Sequence, residues 1–386
     1  MKIAYNEIGV YNLSVLKETK RWFKHGLISA EQSESIKAAY QTSLFNPNLM
    51  IRILLFVASA LGLAGVTGIL VLLSMDSSEN IIPWLCIFYG LGSLFFLELV
   101  FIKGNHHYKS GVNEALLYHS LGFFLGGILA LEINEHFIAV IGFIVFSIAA
   151  IRYLDLICTL CAIASLCGFI FFELNEAGGW FQALIPFAFI LIFIPIYFFA
   201  KRARGKQALR LWYDNLLAVE AVSLLLVYAG GNYFVVRELS VEMMNLYLEE
   251  GQDIPFAIVF YILTAVTPIA YLYSGIKKKD KVLIRVSLLL LALSAFTFKY
   301  YFSLGHPEIS LTIAGAVLLL ITLWLLNYLK VMRNGYTREN IMSEKWGDAN
   351  VEAFVISQTL GGNQMPDRIE TGGGGQFGGG GSSESF

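Results

Sequence analysis

Four ionisable residues interrupt long apolar runs and are the first candidates for chemistry: Glu98, His119, Glu220 and Arg285. An ionisable side chain within hydrocarbon is expensive, so it marks a solute path, a proton relay or an ion pair. Glu98 or Glu220 could pair with Arg285 in one inward-facing cluster, and His119 could relay protons, since histidine as a residue type changes charge near neutral pH. Glu220 is the foremost of the four. It lies six residues beyond Asp214, about 9 Å along a helix axis, and its short side chain is costly to leave unpaired. The competing reading is interfacial pairing or snorkelling, because each residue falls within about two turns of a span end.

Other motifs carry less. Cys158-x-x-Cys161 has metal or redox spacing, but no histidine or second cysteine pair stands beside it, so small packing residues are expected. His106-His107 has no carboxylate or thiol partner nearby and is weak evidence for a metal. The sequence holds no Gly-x-Ser-x-Gly elbow, no His-Glu-x-x-His helix and no phosphate-cradling loop. No cofactor or metal is implied, and an enzyme is not expected. Pro186, Pro195, Pro268 and Gly230-Gly231 interrupt apolar runs and either open carbonyls onto a path or simply kink helices. Gly62, Gly65, Gly68 and Gly122-x-x-x-Gly126 are expected to bring helices close together.

The elements that would position these residues are transmembrane helices. Apolar residues make up 56% of the chain and charged ones only 15%, more apolar surface than a soluble core could hide. The net charge of -2 and the lack of a basic, aromatic-interleaved stripe argue against nucleic acid. About ten segments reach the roughly 20 apolar residues that cross a bilayer: 51–74, 81–102, 114–131, 136–151, 154–172, 180–200, 214–235, 255–276, 282–302 and 308–329. The three between 114 and 172 are short and closely joined. No cleavable signal precedes the first span, which is expected to act as the insertion signal.

Lysine and arginine fall on alternate connectors. Lys103, Lys109, Arg152, the segment Lys201 to Arg210, Lys277 to Lys281 and the tail from Lys330 share one side; the long connector 236–254 opposite is acidic apart from Arg237. The positive-inside rule therefore sets both termini in the cytoplasm. Trp84, Trp180, Trp212, Tyr213, Tyr300 and Tyr301 fall at span ends, where amphipathic rings prefer the headgroups. The basic stretch Lys201–Tyr213 either lies along anionic lipids or is an ordinary connector. The expected fold is all-α, a polytopic bundle of about ten spans. Its parts are a cytoplasmic helical hairpin at 1–49, the bundle at 50–329, a tail with a short helix at 330–371 and a disordered Gly-rich end at 372–386.

Within the hairpin, Ser14 is the expected cap of a first helix that Gly26 ends, and Ser29 with Gln32 matches a capping box for a second running to about Thr42. The run Trp22-x-x-x-Gly26-Leu27-Ile28-Ser29-x-Glu31-Gln32, followed by many spans, resembles a family of uncharacterised bacterial inner-membrane proteins with a domain of unknown function. The likeness covers about a dozen residues plus the layout. It implies a bacterial inner-membrane location and brings no catalytic residues. Two functions stand. A scaffold or regulatory component would recruit a cytoplasmic partner through its hairpin; a secondary transporter of a small solute would use the intramembrane ionisable groups. An intramembrane enzyme comes third.

Overall fold

The computed structural model describes residues 2–74, 80–243 and 252–301, with scattered positions between 312 and 330. The chain divides into two units, Met1–Ala314 and Gly315–Phe386. Among the described residues the first unit holds twelve α-helices: α1 Glu7–Lys24, α2 Ala30–Ala39, α3 Leu49–Ser74, α4 Ile82–Phe96, α5 Val112–Leu129, α6 Glu135–Tyr153, α7 Leu156–Glu176, α8 Trp180–Arg204, α9 Tyr213–Gly231, α10 Tyr233–Glu242, α11 Ala257–Lys278 and α12 Lys281–Tyr301. Nine of them, α3 to α9 with α11 and α12, are long and apolar enough to cross a membrane, α4 by continuing as helix to Gly104. This is an all-α polytopic transmembrane bundle. The first nine expected spans each coincide with one of these helices to within about one turn at either end, the second with α4 and its helical continuation to Gly104. The tenth, 308–329, lies mostly outside the described residues, as do the tail helix and the Gly-rich end.

The three short spans between 114 and 172 are separate because local signals stop and start each helix. Leu154 takes a left-handed conformation (φ 52°) at the end of α6, and the Asp155 carboxylate accepts the Cys158 N–H at 2.8 Å to start α7. Asn134 caps α6 in the same way, accepting from His136 N at 2.9 Å. Such short links make neighbours antiparallel, and α4–α5, α6–α7, α8–α9 and α11–α12 pack as hairpins, while α3 leans on α5. The end of the bundle that receives the N-terminal residues is called basal below and the opposite end distal. Leucine, isoleucine and phenylalanine side chains cover the outside, as hydrocarbon surroundings require.

Several local details depart from expectation. Helix α1 starts seven residues before Ser14, with Asn6 Oδ1 accepting from Gly9 N at 3.1 Å; the Ser14 hydroxyl instead donates to Tyr11 O at 2.7 Å. The start lies earlier because Gly9 and Val10 are themselves packed, Gly9 against Leu44. The second helix starts as expected, with the Ser29–Gln32 capping box formed in both directions, but ends at Ala39. There Thr42 turns back to donate to Gly9 O. The connector 236–254 is not all loop: α10 fills its first part, capped by Asn232 and burying Tyr233, Val236 and Ser240 on one face. Pro186 and Pro268 are buried within helices that continue on both sides of them.

Close packing uses other glycines than those expected. Gly62, Gly65, Gly68, Gly122 and Gly126 have no atom within 4 Å of where a Cβ would stand. Contact falls on Gly90 and Gly127 instead. A Cβ on Gly90 would meet Phe124 N of α5 at 2.6 Å, and one on Gly127 would meet Pro83 O of α4 at 2.6 Å. The two glycines hold the α4–α5 hairpin together reciprocally, and Gly230 does the same against Pro186 O for α8–α9. Spacing alone does not say which face of a helix meets a neighbour. Gly90→Val and Gly127→Val should each destabilise the bundle by about 1–3 kcal/mol through overpacking. Gly62→Ala and Gly126→Ala should leave it unchanged or slightly firmer. Thermal melts in detergent followed by circular dichroism separate the two pairs.

Candidate functional site

Four sets of polar side chains surround the candidate residues or the N-terminal segment, each built where two or more helices meet. The first centres on Glu98. Beyond Phe96 helix α4 widens into a π-helical turn, Leu97–Gly104, which aims Glu98 at the end of α6. Arg152 grips the carboxylate through Nε at 2.5 Å and NH2 at 2.6 Å, and the Tyr153 hydroxyl donates to it at 2.7 Å. The Arg152 carbonyl accepts the Ala4 N–H at 2.9 Å. The N-terminal residues are thus bound into the basal end, with Ile3, Tyr5 and Val10 buried beside Leu97, Val112 and Tyr153.

The second set lies beneath those N-terminal residues. Tyr5, Lys109, Asn113, Glu114, Tyr153 and Asp155 line a cavity of about 10 Å³, room for a single water. Gly111 opens α5 at φ 94°, and a Cβ there would lie 2.1 Å from Arg52 O, so only glycine fits. Glu114 closes the same turn, accepting from Gly111 N at 2.8 Å and pairing with Arg52 of α3. Burial raises the Tyr5 hydroxyl far above its ordinary range and pushes Tyr108 up to about 12. Burial also lowers Lys109, against the opposing pull of Asp214. His107 is lowered by burial, lies 3.0 Å from Ser110 Oγ through Nδ1, and packs on Phe45 and Phe101. His106 and His107 therefore shape a loop. No group of three or more His, Cys, Asp or Glu able to hold a metal occurs among the described residues. Cys158 and Cys161 are free thiols, Cys158 in the core.

His119 forms the third set. Its Nε2 lies 3.0 Å from the Tyr89 hydroxyl of α4 and 3.4 Å from Thr67 Oγ1 of α3, and the two hydroxyls are 3.5 Å apart. Three helices meet at this one contact.

Glu220 belongs to the fourth and is fully buried. Its Oε2 is 2.8 Å from Arg204 Nε across the α8–α9 hairpin. The contact is poorly directed: neither carboxylate oxygen, nor Arg204 Nε, nor the buried Ser223 hydroxyl one turn away has a hydrogen-bond partner. Beside it Lys201 pairs with Asp280 at the α11–α12 turn and donates to the Tyr197 hydroxyl at 3.0 Å. Arg285 is exposed on the outside of α12 and forms no ion pair with a described residue.

No hydrogen bond or ion pair among the described residues joins any two of Glu98, His119, Glu220 and Arg285. Where a single cluster is expected, three separate networks and one outward-facing arginine are found. The partners Arg52, Arg152, Lys201, Arg204 and Asp280 read in the sequence as connector or span-end charges. Folding turns them inward: Arg204 meets Glu220 across the α8–α9 hairpin, and the others meet partners on elements further away in the chain. Part of the basic stretch 201–213 turns inward too. Lys201 and Arg204 face the bundle and Trp212 Nε1 donates to Ile151 O at 2.9 Å, while Arg202, Lys206 and Arg210 are exposed, Arg210 lying 5.3 Å from the Tyr11 ring. At the distal end His136 of α6 contacts both Glu173 and Glu176 of α7 and closes that hairpin.

No known family model, curated protein or solved structure matches this chain.

Removing Arg204 would leave Glu220 buried without a counter-charge, so Arg204→Gln should cost about 3–5 kcal/mol. Adding Glu220→Gln should restore most of that loss, which a double-mutant cycle of denaturant unfolding in detergent will read. Asp280 gives a pH signature. Burial raises its carboxyl, but the Lys201 ammonium and the N–H groups of Leu283 and Val282 outweigh it and hold it below 3.8. A lowered carboxyl contributes stability that is complete at neutral pH and is lost as the pH falls below its ordinary value. The stability difference between the unaltered protein and Asp280→Asn should be constant from pH 5 to 8, roughly, and shrink below about pH 4.

Proposed function

We propose that this chain is a bacterial inner-membrane scaffold that holds a helical hairpin at its cytoplasmic face to recruit a protein partner. The observation that carries this reading is the seating of residues 2–10. A hairpin tethered only by a flexible linker would lose much orientational freedom on binding. Here Ile3, Tyr5 and Val10 are buried in the bundle, Ala4 is hydrogen-bonded to Arg152, and Asn12 Nδ2 reaches Gln41 O at 2.7 Å to brace α1 against the return segment. The hairpin is therefore presented in one orientation.

Its far turn offers something to bind. Gly26 (φ 68°) reverses the chain, and Trp22, Phe23 and Leu27 are exposed around it. Lys17 and Lys20 are exposed on the same helix. Aromatic anchors beside basic groups suit a protein surface with an apolar pocket and an acidic rim. The alternation of positive charge supports a cytoplasmic placement. The likeness of Trp22–Gln32 to the bacterial inner-membrane family supports the location.

A photo-reactive amino acid placed at Phe23 of the full-length protein in living bacterial membranes tests this. The expected product is one discrete protein adduct, reduced about fivefold or more by Lys17→Glu with Lys20→Glu. Adducts to lipid alone, or a protein adduct unaffected by the charge reversals, would refute recruitment through this surface.

A further inference from the structure

The His119 network faces a groove. Between α3 and α5 lies a cleft of about 490 Å³, open along one side and within the size range of small-molecule sites. Its α3 wall is bare because Ala60, Ala64 and Gly68 recur every fourth residue on one face. Phe123 forms part of the opposite wall, and Thr67 and His119 supply the polar lining. Tyr89 reaches the same point through its hydroxyl, 3.0 Å from His119 Nε2. The rest of the lining is apolar, and none of it is charged.

The chemistry of an occupant follows from that inventory. Two hydroxyls and an imidazole can both donate and accept, so a carbonyl or a hydroxyl head would find partners. A charged head would enter hydrocarbon surroundings without a counter-ion, which is costly. The bare α3 wall suits an apolar body. Plain acyl chains need no polar contact, yet three helices each contribute a polar side chain to this one point of the cleft. We propose that the groove binds a neutral lipid-soluble molecule, its apolar body along α3 and its carbonyl or hydroxyl head hydrogen-bonded to Thr67, Tyr89 and His119. This assignment is independent of the hairpin and of any partner it recruits.

Equilibrium binding to the full-length protein in phosphatidylcholine nanodiscs, against empty nanodiscs, tests the site. The probes are a decyl-substituted benzoquinone for a carbonyl head, dodecanol for a hydroxyl head and dodecane for none. One polar probe should bind saturably at about one per chain, and which one does so names the source of the head; dodecane should not saturate. His119→Phe with Tyr89→Phe should weaken binding about tenfold or more, the loss of one to two net hydrogen bonds. Gly68→Leu should fill the cleft and abolish binding. Gly62→Leu, on the same helix but outside the cleft, should leave it intact, and Thr67→Val gives a second mild probe of the head contact. Saturation by neither polar probe, or binding unchanged in both Gly68→Leu and the double variant, would overturn the proposal and leave an ordinary lipid-facing crevice.

Discussion

The bidentate grip of Arg152 on Glu98 is the contact on which the basal end depends. One guanidinium satisfies a carboxylate carried by a π-helical turn, and the same residue's carbonyl holds Ala4. Three elements distant in sequence, the end of α4, the end of α6 and the N-terminal segment, are thereby tied at one point. The turn that carries Glu98 is π-helical over Leu97–Gly104. Such turns cost hydrogen-bond geometry and persist where the surroundings compensate them. The compensation here is a charge-assisted pair half-shielded from solvent.

The same logic is repeated around the basal end. Arg204 with Glu220 closes the α8–α9 hairpin, while Arg52 with Glu114 joins α3 to α5 and Lys201 with Asp280 joins α8 to the α11–α12 turn. Elsewhere the contact is of another kind: Gly90 within α4, and Gly127 and Gly230 in the last turns of α5 and α9, let backbones approach until only a hydrogen fits. Charge pairs at the basal end and glycine contacts between paired helices are what hydrocarbon surroundings allow. Apolar side chains gain little by leaving lipid for protein, so close backbone contact and polar pairing carry the association.

Polar groups that break this division stand out. Glu220 keeps a counter-charge yet has no directed hydrogen bond, and Ser223 beside it has none either. The Thr67–Tyr89–His119 network sits on a cleft wall where an apolar lining would have served packing equally well. Both were approached from the sequence through a single residue, Glu220 or His119, because a carboxylate or an imidazole in an apolar run is conspicuous. Their companions were not. Thr67 and Tyr89 are ordinary in a span, and Arg204 reads as a cytoplasmic anchor sixteen residues before the glutamate it meets.

What the sequence determined by itself was set by local and one-dimensional physics. Span number and length follow from the thickness of a bilayer, so nine helices stand where apolar runs predict them. Caps such as Ser29 with Gln32 depend on neighbours three residues away and were legible for that reason. Ser14 misled because Asn6, another good cap, lies upstream and the intervening turn gains burial only after folding. Which glycines touch, which charges turn inward, and whether Glu98, His119, Glu220 and Arg285 share one site were decided by tertiary structure alone. Those outcomes depend on how each helix is rotated about its axis, and in a span apolar on nearly every side no sequence periodicity records that angle.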